Sequence, residues 1–390
     1  MEKKNRKAEK FDWTLAFILL LFAIVSCAAI YSAQYENSGT SFVVKQIIFY
    51  GIGSVIAGIV MFFDSDQFKK LSWYLYGIGI FLLVALYFAP TSIAPIRNGA
   101  KSWFVIGSLS IQPSEFMKIF LILVLSKIIA DHYEKITEKS LKTDFRLLLK
   151  LGAATFVPFL LIAEQDLGTA LVVMSIFLGM VLVSGVSWKI ITPIVAVGAS
   201  FAGAVFYLVV KAPHLLEKYL GLKQYQFNRI YSWLDPDSFQ SGSGYHLYKS
   251  LQAIGSGLLT GKGFGERVVY IPESHTDFIF SVIGEEYGFV GSSLVVGLFF
   301  ILIYHLTKIA LDANDPFDTY ICAGIISMLA FHVFQNVGMT IQVLPITGIP
   351  LPFISYGGSS MMANMFAMGL IFSIRYHHKT YMFGEKRLKQ

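Results

Sequence analysis

Trp13 to Ala33 reads WTLAFILLLFAIVSCAAIYSA, a run without one charged side chain. A helix of about 20 apolar residues covers the roughly 30 Å of hydrocarbon in a bilayer, so this stretch predicts a transmembrane helix. The basic residues ahead of it (Lys3, Lys4, Arg6, Lys7, Lys10) have the character of a signal peptide's first region. The apolar run is too long for the second, however, and stays apolar beyond Cys27-Ala28-Ala29, so it is retained as a span. Moving outward along the chain, runs of the same kind predict further spans at 43–63, 71–90, 114–130, 146–163, 167–187, 189–210, 289–310, 318–338 and 359–376. With 55% hydrophobic and 14% charged residues and a mean hydropathy of +0.61, the whole 390-residue chain lies outside soluble composition, which excludes a soluble enzyme. The expected fold is an all-α integral membrane protein of about ten transmembrane helices, with a large extracellular loop and a re-entrant outer loop.

Charge gives the orientation. An even number of spans puts both termini on one side, and with that side inside, the inner tails and loops hold 20 Lys/Arg. The short outer loops hold only Lys45, Arg97 and Lys101. Basic residues favour the cytoplasmic side, so both termini are expected there, in a multi-pass membrane protein. The net charge of +6 reflects these basic edges; no nucleic-acid partner is expected. Cys27 and Cys322 each lie in an apolar run without a CxxC or Cys/His cluster, which predicts neither a disulfide nor a metal-thiolate site. The chain reads as a single membrane domain over 1–390: seven spans in 1–210, the large extracellular loop at 211–276, and a half-helix with the last three spans in 277–390.

Three outer segments, 91–113, 211–276 and 339–358, are too long or too irregular for simple connectors. The last, MTIQVLPITGIPLPFISYGG, is apolar yet broken by Pro345, Pro350 and Pro352. Such backbone is tolerated at membrane depth only when protein or a wet cavity satisfies it, which predicts a re-entrant loop. The stretch 277–310 is too long for one upright span, and Gly284, Gly288 and Gly291 offer breaks, so 277–287 is expected as a half-helix entering from outside.

Ionisable groups in or at the mouths of spans mark candidate sites in a membrane protein. Gln112-Pro113-Ser114-Glu115 opens the fourth span, and Glu115 shares a helix face with Lys118, three residues on. This is either a helix start with a local ion pair or a cavity lining in which Lys118 meets an anion. Asp166, in EQDLGT at 164–169, suits an N-cap of the sixth span. Asn98-Gly99 suits a turn, and beside it Arg97 and Lys101 have the reach to meet a lipid phosphate. Gly255–Gly265 has the look of a nucleotide loop, but Ser256 and Gly263 break the GxxxxGK[ST] pattern. A plain outer loop or a backbone nest for phosphate oxygens remain for it. Asp277, in PESHTDFIFSVIGEE at 272–286, begins an apolar segment. Desolvation there would raise its pKa, as suits a general base, while the plain alternative is a first-turn Asp on the helix dipole. Glu285 lies about 12 Å further along a helix and roughly 80° around it, so a two-carboxylate mechanism is not expected.

The motifs NGAKSW (98–103), QPSEFMK (112–118), DLGTA (166–170), AIGSGLLTGKGFG (253–265), PESHTDFIFSVIGEEYGFVG (272–291) and GIPLPFISYGGSS (348–360) come in order, each on the expected outer face. Together the chain resembles, over nearly its whole length, the SEDS (shape, elongation, division and sporulation) peptidoglycan glycosyltransferases. The SHTDFIFSVIGEE wording is nearer the RodA branch than the FtsW branch. Ser102 stands where many members carry Arg, and Glu164-Gln165 replaces a common Pro-containing pair.

The resemblance implies polymerisation of lipid II, an undecaprenyl-pyrophosphate-linked disaccharide pentapeptide, into glycan strands at the outer face of the bacterial cytoplasmic membrane, for cell elongation and rod shape. The reaction inverts the anomeric carbon. It implies Asp277 as base, with Lys118 and Arg97 toward the pyrophosphate, Glu115 positioning Lys118, and Lys101, Gln112, Ser114, Asp166, His275 and Ser355 as substrate-site residues. A divalent cation such as Mg2+ or Mn2+ is compatible with pyrophosphate departure, but no local ligand set identifies one. The implied partners are lipid II, membrane lipids and a class B penicillin-binding protein, a transpeptidase. The alternative from another class is a lipid-linked precursor flippase or transporter; polar residues gathered at one face favour catalysis over an alternating-access path. An O-antigen ligase-like transferase shares the architecture but is not expected to carry all six motifs.

Overall fold

The computed structural model describes residues 11–34, 41–96, 100–107, 109–136, 138–213, 224–240, 242 and 244–378. Ten helices occupy the ten expected spans among these residues: α1 (Trp13–Gln34), α2 (Phe42–Met61), α3 (Ser65–Phe88), α4 (Pro113–Lys135), α5 (Leu141–Ala163), α6 (Leu167–Val183), α7 (Trp188–Lys211), α10 (Ile279–Asp312), α11 (Pro316–Thr340) and α12 (Gly358–His377). Two shorter helices, α8 (Gln224–Leu234) and α9 (Tyr245–Ser256), lie between α7 and α10. Seven of the ten are long and apolar enough to cross a membrane alone. Of the rest, α6 is apolar but has 17 residues, and α4 and α12 face mostly protein. The protein is therefore membrane-embedded and nearly all helical.

Helix starts follow local chemistry. Asp64 and Gln67 form a capping box at α3, Ser140 and Thr143 another at α5, and Asp315 precedes Pro316 at α11. The bundle is apolar outside as well as inside: Phe17, Phe81, Phe201 and Phe300 are exposed, as lipid-facing residues are. With no difference in polarity between lipid and interior, close fit has to hold the helices together, and small residues allow it. Between α2 and α12, a Cβ at Gly53 would lie 2.7 Å from Met365 Cγ, and one at Gly369 would lie 2.9 Å from Ala57 Cα.

Segment 91–113 contains an element absent from the sequence reading. Phe104–Ile106 (β1) and Leu109–Ile111 (β2) pair antiparallel, with Phe104 opposite Ile111. Gly107 supplies a φ of +63° at the turn. The hairpin delivers Gln112 and Pro113 to the start of α4.

Helix α10 carries the expected break. At Gly288 the backbone turns to φ 62°, ψ −157°, so residues from Ile279 to Tyr287 form a half-helix ahead of the main span. The loop after α9 fills the notch. Phe289 and Val290 donate backbone N–H bonds to the carbonyls of Leu258 and Leu259 at 2.9 and 3.1 Å. A Cβ on Gly257 or Gly261 would run into the carbonyls of Gly284 or Glu286. Gly257 and Gly261 thus serve close approach to a helix. The N–H groups of Lys262 and Gly263 go to the carbonyls of Glu285 and Glu286, which leaves them unavailable for a phosphate nest.

Phe11, ahead of α1, stacks on Phe372 of α12 at 5.2 Å, so the chain enters and leaves the bundle at one end. We call this the tail end. The other, the loop end, carries 272–278 and 341–357.

Candidate active site

The proline-broken segment after α11 folds into the loop end, with Leu351, Phe353 and Ile354 buried. Pro345, Pro350 and Pro352 have no N–H to offer, and the carbonyls along the segment need donors from elsewhere. Side chains supply them. Gln335 Nε2 donates to Pro345 O at 3.0 Å, and Asn336 Nδ2 to Ile349 O at 2.8 Å. His332 Nδ1 bonds Pro350 O at 3.2 Å, and Tyr50 donates to Phe353 O. Ser26 Oγ donates to Ile354 O at 2.8 Å, and Gln46 Nε2 to Ser355 O at 3.2 Å. Irregular backbone inside a membrane bundle is stable when protein satisfies it in this way.

Asp277 lies on the turn before α10, half-buried. Its Oδ1 accepts from Thr276 Oγ1 at 2.9 Å. Its Oδ2 faces the buried segment, 3.5 Å from where a Cβ on Gly348 would stand; Gly348 has a φ of +73°. Burial pushes the carboxyl above its ordinary value and Glu273 adds to the rise, while Thr276 and His246 pull it down. His275, two residues earlier, stacks on Phe42 at 4.2 Å and lies 5.5 Å from the Tyr356 ring. Burial lowers its pKa, which keeps the imidazole neutral at physiological pH. The turn and the segment join at two hydrogen bonds: Asn336 Nδ2 to Asp277 O at 2.7 Å, and Tyr356 N to His275 O at 2.8 Å.

Lys118 is 1% exposed. Its ammonium lies 3.0 Å from both Glu115 carboxylate oxygens and 3.0 Å from His332 Nε2. Lysine donates only, so Nε2 accepts, and the ring proton sits on Nδ1 facing Pro350 O. Glu115, Lys118 and His332 thus form one chain of contacts that ends on the buried segment.

The remaining sequence candidates divide clearly. Asp166 caps α6 through Thr169 N at 3.0 Å and also accepts from Gln112 Nε2 at 3.1 Å. Gln112 N donates to Ser359 Oγ at 2.9 Å. A Cβ at Gly168 would lie 2.9 Å from Thr347 O, so this group flanks the same segment. Ser355 Oγ accepts from Leu351 N at 2.8 Å and closes a turn within it. Ser114 is buried in the first turn of α4. Lys101 lies apart, its ammonium on the carbonyls of Tyr87 and Ala89 at the end of α3, where a cation complements the helix dipole. Arg97 lies outside the described residues.

His332, Gln335 and Asn336 escaped the sequence reading. Three polar side chains within five residues of an otherwise apolar span were the available signal. Glu285, set aside as a catalytic carboxylate, accepts from Lys262 Nζ at 2.7 Å and from the N–H groups of Val268 and Val269 at 2.8 and 3.0 Å. Glu285→Gln should therefore loosen 262–269, read as faster amide exchange there, and depress any catalysis far less than a change at Asp277. Equal losses at the two positions would contradict this division.

A family model described as a cell cycle protein (FtsW/RodA/SpoVE) matches residues 9–380. The chain belongs to the FtsW/RodA/SpoVE family. Stage V sporulation protein E of Bacillus subtilis (strain 168) is 35% identical over 373 residues, covering 93% of this chain and 96% of that protein. The peptidoglycan glycosyltransferase MrdB of Escherichia coli (strain K12) is 34% identical over 374 residues, 94% of each chain. A probable peptidoglycan glycosyltransferase FtsW of Coxiella burnetii is also 34% identical, so these values do not separate the branches of the FtsW/RodA/SpoVE family. The crystal structure of the Thermus thermophilus rod shape determining protein RodA superposes with a TM-score of 0.66 at 28% identity, covering 95% of this chain and 98% of that one. A chain from a structure described as "Structural coordination of polymerization and crosslinking by a peptidoglycan synthase complex" gives 0.72 at 28% identity, with 94% and 98% covered.

Proposed function

We propose that this chain is an inverting peptidoglycan glycosyltransferase that joins lipid II units into glycan strands, with Asp277 as the general base. The observation that carries the reading is the Asp277 carboxylate, half-buried and turned toward the Gly348 bend of the buried segment, in a chain that belongs to this family over nearly its full length. Attack of the acceptor's sugar 4-OH on the donor's anomeric carbon forms the glycosidic bond as the carbon–oxygen bond to lipid pyrophosphate breaks. The hydroxyl proton passes to Asp277, and the pyrophosphate leaves with the bonding electron pair. A good leaving group needs its charge offset more than it needs an acid.

We assign that offset to Arg97, which directly precedes the NGAKSW motif, because the charge of Lys118 is already balanced by Glu115. Lys118 instead holds the Pro350 end of the buried segment through His332. No group of three or more His, Cys, Asp or Glu among the described residues is arranged to hold a metal ion. The loop end faces outside and both tails the cytoplasm, following the distribution of Lys and Arg. A class B penicillin-binding protein is the proposed partner, since a structural neighbour comes from a complex that couples polymerization and crosslinking. We assign the activity to elongation and rod shape because the SHTDFIFSVIGEE wording is nearer the RodA branch.

The pH dependence follows from Asp277. Its raised pKa means that lowering pH protonates the base above the ordinary aspartate range, and the polymerisation rate falls there; raising pH beyond that point changes nothing at this group. Glu273, His275 and His246 are the titratable neighbours that shape the limb. A pH–rate profile at saturating lipid II measures it. A rate that stays flat down to about pH 4, where ordinary aspartates titrate, would take the proton acceptor away from Asp277.

A further inference from the structure

Asn336 is fully buried on α11, and its amide nitrogen donates to two carbonyls from different parts of the chain: Asp277 O at 2.7 Å and Ile349 O at 2.8 Å. Both partners are acceptors, so the nitrogen and not the oxygen of the amide must face them. The amide oxygen has no hydrogen-bond partner among the described residues. Gln335 and His332 also serve carbonyls of the proline-broken segment, but neither touches the Asp277 turn. Ile349 directly follows Gly348, the residue that the Asp277 carboxylate faces.

We infer that Asn336 is a positioning residue: it clips the Asp277 turn to the Gly348–Ile349 bend, and so fixes where the base stands relative to the segment its carboxylate faces. The inference rests on the glycosyltransferase reading and adds a residue to it. The plain alternative is that Asn336 only satisfies two carbonyls that would otherwise be orphaned, as Gln335 does for Pro345. The two roles differ in consequence. A satisfier affects how much protein folds; a clip affects turnover of the folded protein, because a misplacement of about 1 Å in a catalytic group costs on the order of 10²-fold.

The test uses the full-length chain in complex with its transpeptidase partner, crosslinking disabled, and labelled lipid II. Asn336→Ala should lower kcat by about 10- to 100-fold with KM within about threefold of wild type. Gln335→Ala, with a similar change in thermal midpoint, should keep kcat within about threefold. Should Asn336→Ala give no folded complex, Asn336→Ser, which keeps one short donor, is read by the same two constants. Near-normal kcat in whichever variant folds, or a loss matched by Gln335→Ala, would overturn the clip while leaving Asp277 as base. A wild-type complex that makes no glycan would overturn the glycosyltransferase reading and the clip with it.

Discussion

Asp277→Asn should leave a folded, membrane-inserted protein that makes essentially no glycan. The substitution keeps the shape of the side chain, and the bond from Asn336 to the backbone carbonyl of residue 277 remains available. What it removes is the capacity to take a proton. A positioned base contributes about 10²–10⁴-fold, so initial rates of lipid II polymerisation should fall by that amount. The amide is neutral at every pH, so any residual rate should also lose the acid limb set by the raised carboxyl pKa. A variant that polymerises within a few-fold of wild type would remove Asp277 from the mechanism.

Lys118→Ala should act first on stability. Glu115 and Lys118 are 3% and 1% exposed, and removing the lysine leaves a buried carboxylate with no compensating charge. Breaking a buried pair from one side costs about 3–5 kcal/mol. The thermal midpoint in detergent should fall sharply. Lys118→Met combined with Glu115→Gln should recover most of it, because the pair's desolvation disappears with its attraction. Glycan synthesis should stay low in the double variant, since His332 then loses the donor that sets its tautomer against Pro350 O. Unchanged stability of Lys118→Ala would show that this lysine reaches solvent in the working protein.

Ten apolar runs of bilayer length were legible because membrane spans depend on composition more than on partners, and all ten became helices. The glycine break in α10 and the buried proline-rich segment were legible for a related reason. Gly288 admits a positive φ that other residues resist, and the three prolines fix φ and remove an N–H, whatever surrounds them. The β1–β2 hairpin was not legible, since strands of three residues give too little alternation to stand out. Nor was the arrangement of the site. Asp277 was singled out as a carboxylate at the start of an apolar run, but its tie to Asn336 spans 59 residues, and that of Lys118 to His332 spans 214. Contacts at such separation leave no local pattern. Lys118 shows the same limit: its spacing from Glu115 gave the ion pair, while its enclosure by α11 could come only from the fold.

The most direct test of the glycosyltransferase reading removes the two sides of the membrane. The purified chain, with its transpeptidase partner present and crosslinking disabled, is given labelled lipid II in detergent micelles, and the products are separated by length. Wild-type protein should give glycan chains and Asp277→Asn none, because the chemistry needs the loop-end site and no gradient. No polymer from the wild-type complex, together with movement of lipid II across reconstituted vesicles, would contradict it and leave a transporter.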